Sequence, residues 1–427
     1  MRYFFIDFFC GAGGSSLGFS QAGYITLAGF DYESSAAQTY RQIRNSDGTH
    51  SRFFHRNLFF KNEEHPNGEG DLVLKDIKQV LKERDYKRSE DFLVFGISAP
   101  CQPFSKLSSK QVSDERALKR ERDSNLLLVC LEYINKFMPD AIFVENVAGI
   151  GASKTTKIPV LDLFKNDIEL IKYAFSSSPV NAANFGVAQD RRREIGVALR
   201  AGPKVSITIP SQDPSARAVT VREAIGHFPP LAAGEHSVVP NHTARNLTNV
   251  NLLRLKSLAP GENNLGLRVT RYGDLSLPCH QRLEEKAGKQ SFSDTYARMH
   301  PDQPSPTITT RCISISNGRF GHYDVRQIRG ITPREAASLQ SFPDDYIFYP
   351  LNETEAAARL VGNAVPPKMA KFFAHFIKRS MVGSNVIELA VSTKKNIRQV
   401  AQIATAAHPP SFIPSPIPML TQGSQPV

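Results

Sequence analysis

The 427-residue sequence contains no Cys-x-x-Cys pair, and its five cysteines, Cys10, Cys101, Cys130, Cys279 and Cys312, are scattered and odd in number. That spacing offers neither a zinc site nor a disulfide framework, so no metal is expected and a reducing compartment, the cytoplasm, fits best. No apolar run is long enough to span a bilayer. An acid interrupts the opening Met1-Arg2-Tyr3-Phe4-Phe5-Ile6-Asp7 and glycines follow, a pattern unlike a secretory signal. Internal repeats are absent, and so is the G-x-G-x-x-G dinucleotide fingerprint. Charge of one sign is in relative deficit. Forty-one acids stand against 52 lysines and arginines, for a net charge of +11, which suggests a polyanionic partner. An apolar content of 41% is that of a soluble globular protein, and the length predicts two domains.

What is present begins with a strand from Tyr3 to about Phe9, which runs into Cys10-Gly11-Ala12-Gly13-Gly14 and then a helix. Strand, glycine loop and helix open a doubly wound α/β fold, and glycines let backbone approach a ligand closely. A second strand, Ile25 to Phe30, ends at Asp31, where an acid can hold ribose hydroxyls. These features predict a nucleoside-containing cofactor without requiring a pyrophosphate. Residues 41–90 read as a polar surface insertion, with a short strand at Leu72 to Leu74 and a turn at Asp76.

Gly96 to Ser105 carries Cys101 on a turn stiffened by Pro100 and Pro103, after the apolar strand Phe92 to Phe95. A stiff cysteine at a strand end suits a nucleophile, though an isolated Pro-Cys more often marks a structural cysteine. The charged residues from Lys106 to Arg122 read as a long loop. An amphipathic helix follows to Met138. The strand from Ala141 to Val144 then places Glu145 at its carboxyl end, the side on which open α/β sheets bind ligands. Cys101 and Glu145 could therefore share one site. Gln189-Asp190-Arg191-Arg192-Arg193 leads into a strand from Glu194, with Arg191 and Arg193 on one face.

Beyond residue 200 the α/β alternation fades. Pro, Gly, Asn and Thr increase, and Arg245, Arg254, Lys256, Arg268, Arg271, Arg282, Arg298 and Arg311 are interspersed, a mixture able to contact phosphates and base edges. Thr332-Pro333-Arg334-Glu335 forms a capping box. A helix over Asn352 to Val361, stopped by Gly362, and a final helix with Phe372, Phe373, Phe376 and Ile377 on one stripe complete the pattern. The tail from 383 to 427 mixes Ser, Gln and Pro and is expected to be disordered.

Taken in order, these segments resemble the carbon-5 DNA cytosine methyltransferases of the bacterial restriction-modification type, from about Tyr3 to Ile377. Asp7-x-Phe9-x-Gly11-x-Gly13-Gly14 is similar to the family's cofactor loop. Asp31 and Tyr32 stand where an acid and an aromatic hold ribose and adenine. Pro100-Cys101-Gln102 resembles the nucleophile motif, Glu145-Asn146-Val147 the catalytic-acid motif and Gln189-x-Arg191-x-Arg193 the arginine motif. Leu126 resembles a cofactor-contacting leucine, and Asn363-Ala364-Val365 belongs to a segment like the last cofactor motif. Asp76 is taken as the adenine-contacting acid. Ala188 departs from the family's usual proline.

The resemblance implies a Rossmann-like S-adenosylmethionine-dependent domain, residues 1–200 completed by 355–382. It also implies a smaller, irregular, β-rich target-recognition domain at 201–354. Cys101, Glu145, Arg191 and Arg193 would be catalytic. Cys101 would add to a cytosine flipped from duplex DNA, Glu145 would protonate ring N3 and Arg193 would face the ring's O2. The residues after Ser105 would form a lid, and the last helix would pack on the first domain. The expected partners are double-stranded DNA and a cognate restriction endonuclease acting on the same site, with the chain a monomer. A tRNA-cytosine methyltransferase of the same fold is the alternative, although its Cys-Phe-Thr tripeptide is missing here. A non-catalytic DNA-binding relative is a second alternative, which the presence of both Cys101 and Glu145 opposes.

Overall fold

The computed structural model describes residues 1–100, 126–148, 150, 160–200, 205–278, 281–282 and 293–383. Cys101, the charged segment that follows it, and the tail from 384 lie outside the described residues.

Seven strands form one sheet in the order β3-β2-β1-β4-β5-β7-β6. They are β1 (Tyr3–Phe8), β2 (Ile25–Asp31), β3 (Arg52–His55), β4 (Phe92–Ile97), β5 (Ala141–Val147), β6 (Ala174–Asn181) and β7 (Arg192–Leu199). The first five are parallel; β7 runs antiparallel to β5 and to β6. β1 and β4 read as nearly unbroken apolar runs because helices cover both faces of the sheet. On one face lie α3 (Gly70–Glu83), α4 (Leu126–Phe137) and α5 (Val160–Leu170), whose buried residues share a core with Phe4, Ile6 and Phe95. On the other lie α1 (Gly14–Gln21) and the last helix, α10 (Pro367–Gly383), packed against Phe5, Val94 and Phe143, while a single helical turn, α2 (Ala37–Tyr40), follows β2. The expected docking of the last helix is therefore observed. Gly18 allows it, since a Cβ there would meet the Pro367 carbonyl and the Ala370 side chain.

Several sequence expectations need correction. No strand forms at Leu72 to Leu74. Val73, Ile77, Val80 and Leu81 are buried at helical spacing, so the segment folds as α3 instead. Strand β6 carries no strand signal in its sequence, since AFSSSPVN is serine-rich and contains Pro179; at the edge of a sheet a proline is tolerated. Helix α9 (Thr354–Asn363) runs past Gly362, whose missing side chain lets the Thr309–Thr310 backbone pack against the helix.

The irregular character expected beyond residue 200 is found, but the strands are not. Among the described residues between Leu199 and α9 there are short α-helices, α6 (Val221–Ile225), α7 (Asn249–Ser257) and α8 (Pro333–Leu339), and only isolated β-bridges. Buried arginines satisfy backbone carbonyls where a ladder would otherwise do so. Arg298 is fully buried and donates to the carbonyls of Leu255, His322, Asp324 and Gln327. Arg334 does the same for Pro343, Asp344 and Tyr346. Arg329 forks onto Glu335 at 2.8 and 2.7 Å, and Glu335 also closes the expected capping box with Thr332. Arg298, grouped by sequence with groove-facing cations, is thus a structural residue.

Candidate active site

A cavity of about 670 Å³ opens at the carboxyl ends of β1, β2, β4 and β5. Its floor is the turn after β1. Phe9 and Gly11 both have positive φ, at 58° and 48°, and nothing lies within 4 Å of the position a Gly11 Cβ would take. A ligand can therefore approach this backbone directly. Asp31, at the end of β2, accepts the Gly11 N–H on one oxygen and the Glu33 N–H on the other, each at 2.8 Å. Burial holds its carboxyl above the usual range, and those two N–H groups oppose the shift. Tyr32 presents a largely exposed ring at the rim.

Glu145 and Arg193 meet on the neighbouring wall. In the antiparallel register Glu145 faces Ile195 and Val147 faces Arg193, so Glu145 and Arg193 are diagonal neighbours on one face. Arg193 Nε lies 3.1 Å from Glu145 Oε1, and both side chains are largely buried. The adjacent Asn146 donates to the Ala99 carbonyl at 3.1 Å. It thereby ties β5 to Ser98, Ala99 and Pro100, all of which line the cavity and the last of which precedes Cys101 in sequence. Arg191 also lines the cavity, and its guanidinium donates to the carbonyls of Ile308, Gly362 and Ala364. It joins three chain segments behind the site. Gln189 and Gln340 hydrogen-bond beside it, and Gln340 also reaches the Ala364 carbonyl.

Of the residues singled out by sequence, Phe9, Gly11, Asp31, Tyr32, Leu126, Glu145, Arg191, Arg193, Asn363, Ala364 and Val365 line this one cavity. Asp7, Gly13 and Gly14 do not. Asp7 is buried behind the loop, where its Oδ2 accepts from Ser16 N and Oγ, and burial pushes its pKa up to about 7. Gly13 and Gly14 are packed, since side chains there would overlap Ile43 and the Val365 carbonyl respectively. Asp76 is away from the cavity, in the middle of α3, and pairs with Arg56 at 2.8 Å. Cys101 lies outside the described residues.

Sequence reasoning overlooked the segment after β3. Arg56, Asn57, Leu58, Phe59, Glu64, His65, Pro66 and Asn67 all line the cavity, and the Phe59 and His65 rings stack at 3.7 Å. Read as a surface insertion, this segment is a wall of the site. The overlooked signal was the aromatic strand Arg52–His55, whose last residue pairs in register with Asp31 and which puts Asn57 just past the same sheet edge.

The profile of the C-5 cytosine-specific DNA methylases matches residues 3–379. The chain belongs to that family. It is a DNA (cytosine-5) methyltransferase of restriction-modification type, with a methyl donor of the S-adenosylmethionine kind. The type II methylase M.HgiDII of Herpetosiphon aurantiacus is 30% identical over 381 residues, covering 88% of this chain and 96% of that one. The type II methyltransferase M1.HphI of Haemophilus parahaemolyticus is 30% identical over 383 residues, covering 88% and 87%. In fold, the methylase resembles the Entamoeba histolytica methyltransferase EhMeth, with a TM-score of 0.55 at 13% identity over 90% of this chain and 99% of that one. The cavity suits such a donor. It has bare backbone at Gly11, a half-buried carboxylate with spare lone pairs at Asp31 for ribose hydroxyls, and apolar walls at Phe9, Leu126 and Val365. No helix among the described residues is long and apolar enough to cross a membrane, and no cluster of potential metal ligands is found among them.

Proposed function

We propose that the enzyme methylates carbon 5 of a cytosine flipped out of a specific double-stranded DNA sequence, through a covalent adduct with Cys101. The observation that carries this reading is the Glu145–Arg193 pair, 3.1 Å apart, in the same cavity as Pro100 and the Asp31 cradle. A stacked base cannot reach a cavity at a sheet edge, so the target must leave the helix.

Carbon 5 of cytosine is a weak nucleophile. The Cys101 thiolate adds to carbon 6 while Glu145 passes a proton to ring N3, and the ring becomes an enamine. Arg193 stabilises charge on the ring's O2 and keeps Glu145 aimed. S-adenosylmethionine, when bound, supplies an electrophilic methyl group. Carbon 5 takes that methyl, leaving the donor as a neutral thioether, a base then removes the carbon 5 proton, and the carbon 6–sulfur bond breaks as N3 returns its proton to Glu145, which restores the ring and frees Cys101. Asp31, Phe9, Gly11 and Asn363 to Val365 hold the donor, and the Arg191 staple keeps Ala364 in place. Residues 201–354 supply sequence recognition, and the type II names of the relatives support a companion endonuclease acting on the same site.

The test is duplex DNA in which 5-fluorocytosine replaces cytosine, since fluorine blocks the final elimination. With cofactor, the wild type is expected to form a denaturation-resistant adduct and Cys101→Ser none. Glu145→Gln should slow methylation by about two to four orders of magnitude. Tritiated cofactor should label DNA and not tRNA. Full activity in Cys101→Ser would sink the mechanism.

A further inference from the structure

A second concave surface lies apart from the active site, between α10 and the loop at 213–219, with a volume of about 770 Å³. Lys368, Lys371, His375 and Arg379 line it from α10, and Arg217 from the loop. The four α10 positions are spaced three, four and four residues apart, so they form one stripe, opposite the buried Met369, Ala370, Phe373 and Ile377. Lys368, Lys371 and Arg379 are exposed. The acids nearby are already engaged. Asp213 accepts from the Ser215 N–H and hydroxyl within its own turn, and Glu223 pairs with Arg217 at 2.7 Å. His375 lies among these cations. Its imidazole is held below the usual range first by burial and then by Lys378, Lys371 and Arg379.

The cleft adjoins the active edge of the sheet. Lys368 follows Val365, a wall of the cofactor cavity, by three residues. Phe185 and Gly186, on the cleft's opposite side, precede Arg191 by six and five. From Lys368 to Arg379 the stripe extends about 16 Å along the helix, at about 1.5 Å per residue. Duplex DNA advances about 3.4 Å along its axis per phosphate on each strand, so the stripe is long enough to meet more than one phosphate of a single strand. The 384–427 tail is a poor occupant, because its single acid, Glu388, is outnumbered by Lys394, Lys395 and Arg398.

We propose that this cleft is a secondary DNA-binding surface that grips the phosphate backbone flanking the methylated site. It rests on the reading that the enzyme acts on duplex DNA, but it is tested without methyl transfer. The probes are fluorescein-labelled random-sequence duplexes of about one and about four helical turns. Binding is followed by anisotropy across a range of salt concentrations. In Lys371→Ala/Arg379→Ala, the slope of log K against log salt on the four-turn duplex should shrink by about 1.8, the loss of two phosphate contacts. Its affinity there should fall about tenfold at low salt. Binding of the one-turn duplex, and of S-adenosylmethionine by calorimetry, should be unchanged. Lys371→Arg/Arg379→Lys should restore the slope. An unchanged slope on the long duplex would overturn the proposal and leave an acidic protein partner as the occupant. Equal loss on both duplexes would also overturn it, by showing that the cations act at the central site. Failure of wild type to methylate any DNA would refute the reading of the reaction and leave this binding result intact.

Discussion

At the scale of single residues, the two carboxylates flanking the glycine loop play opposite parts: Asp31 is half-buried at the cavity and Asp7 is fully buried behind the loop. Asp31 has one backbone N–H on each oxygen and lone pairs to spare. Ribose hydroxyls would add charge-assisted hydrogen bonds worth about 1.5–3 kcal/mol each. Asp31→Ala is therefore expected to weaken S-adenosylmethionine binding about tenfold or more, measured by calorimetry; unchanged affinity would remove Asp31 from the site. Asp7 faces no cavity, and its Oδ1 is buried without a hydrogen-bond partner. Burial pushes its pKa up to about 7, far above an exposed aspartate. Between about pH 4 and pH 7 the folded chain therefore holds a proton that the unfolded chain has lost, so stability falls as pH rises through that window and levels off above it. Asp7→Asn removes this dependence. Its stability should match wild type near pH 4 and exceed it near pH 8, by up to about 4 kcal/mol, in urea denaturation. A wild-type and variant difference that does not change with pH would show that the carboxyl ionises at no cost.

At the scale of elements, the contact between α1 and α10 closes the fold, and Gly18 sets its distance. A Cβ at Gly18 would meet the Pro367 carbonyl, the Ala370 side chain and the Lys371 N–H, two of which are backbone groups with no room to yield. Gly18→Ala is expected to cost about 1–3 kcal/mol, read as a lower denaturation midpoint at unchanged slope. An equal or higher midpoint would mean that the helices part easily. Elements with a periodic apolar face, such as α4 and α10, or an unbroken apolar run, such as the strands β1, β4 and β5, were legible in the sequence. So was the Thr332 capping box, because its signal is local. Elements whose reason to form lies elsewhere were not. β6 is a strand because β7 pairs with it, not because of its three serines. The segment from Arg56 to Asn67 looked like a solvated insertion because its polar residues face a cavity, and polar residues facing a cavity and facing solvent have the same pattern. Asp76, taken from the resemblance as the adenine-contacting acid, lies within α3, whereas the fold places Asn57 just past the end of β3 and in the cavity wall.

For the whole molecule, a net charge of +11 indicates a polyanion partner but does not say which cations meet it. The arginines beyond residue 200 share a chemistry and divide only by burial. Arg298, Arg329 and Arg334 are fully buried, while Arg245, Arg268, Arg271 and Arg311 are exposed. Nor does this region stand on a core of its own: Val221, Met299, Ile308 and Ile313 share one apolar cluster with Cys10, Ala12, Tyr40 and Leu360. A graft of the whole segment into a relative would therefore cut through packed core, and single substitutions are the sharper test of where recognition lies. Arg298→Ala strands four backbone carbonyls and leaves a cavity, so it should destabilise the fold by about 3–5 kcal/mol. Arg311→Ala removes an exposed guanidinium and should leave the denaturation midpoint unchanged. If Arg311 contacts phosphate, DNA binding should weaken for every sequence alike and the salt slope should fall by about 0.9. If it reads a base, methylation sequencing should instead show discrimination relaxed at one base pair, worth about 1–3 kcal/mol. Exposed-arginine variants that change neither binding nor the methylated sequence would place recognition elsewhere in the chain.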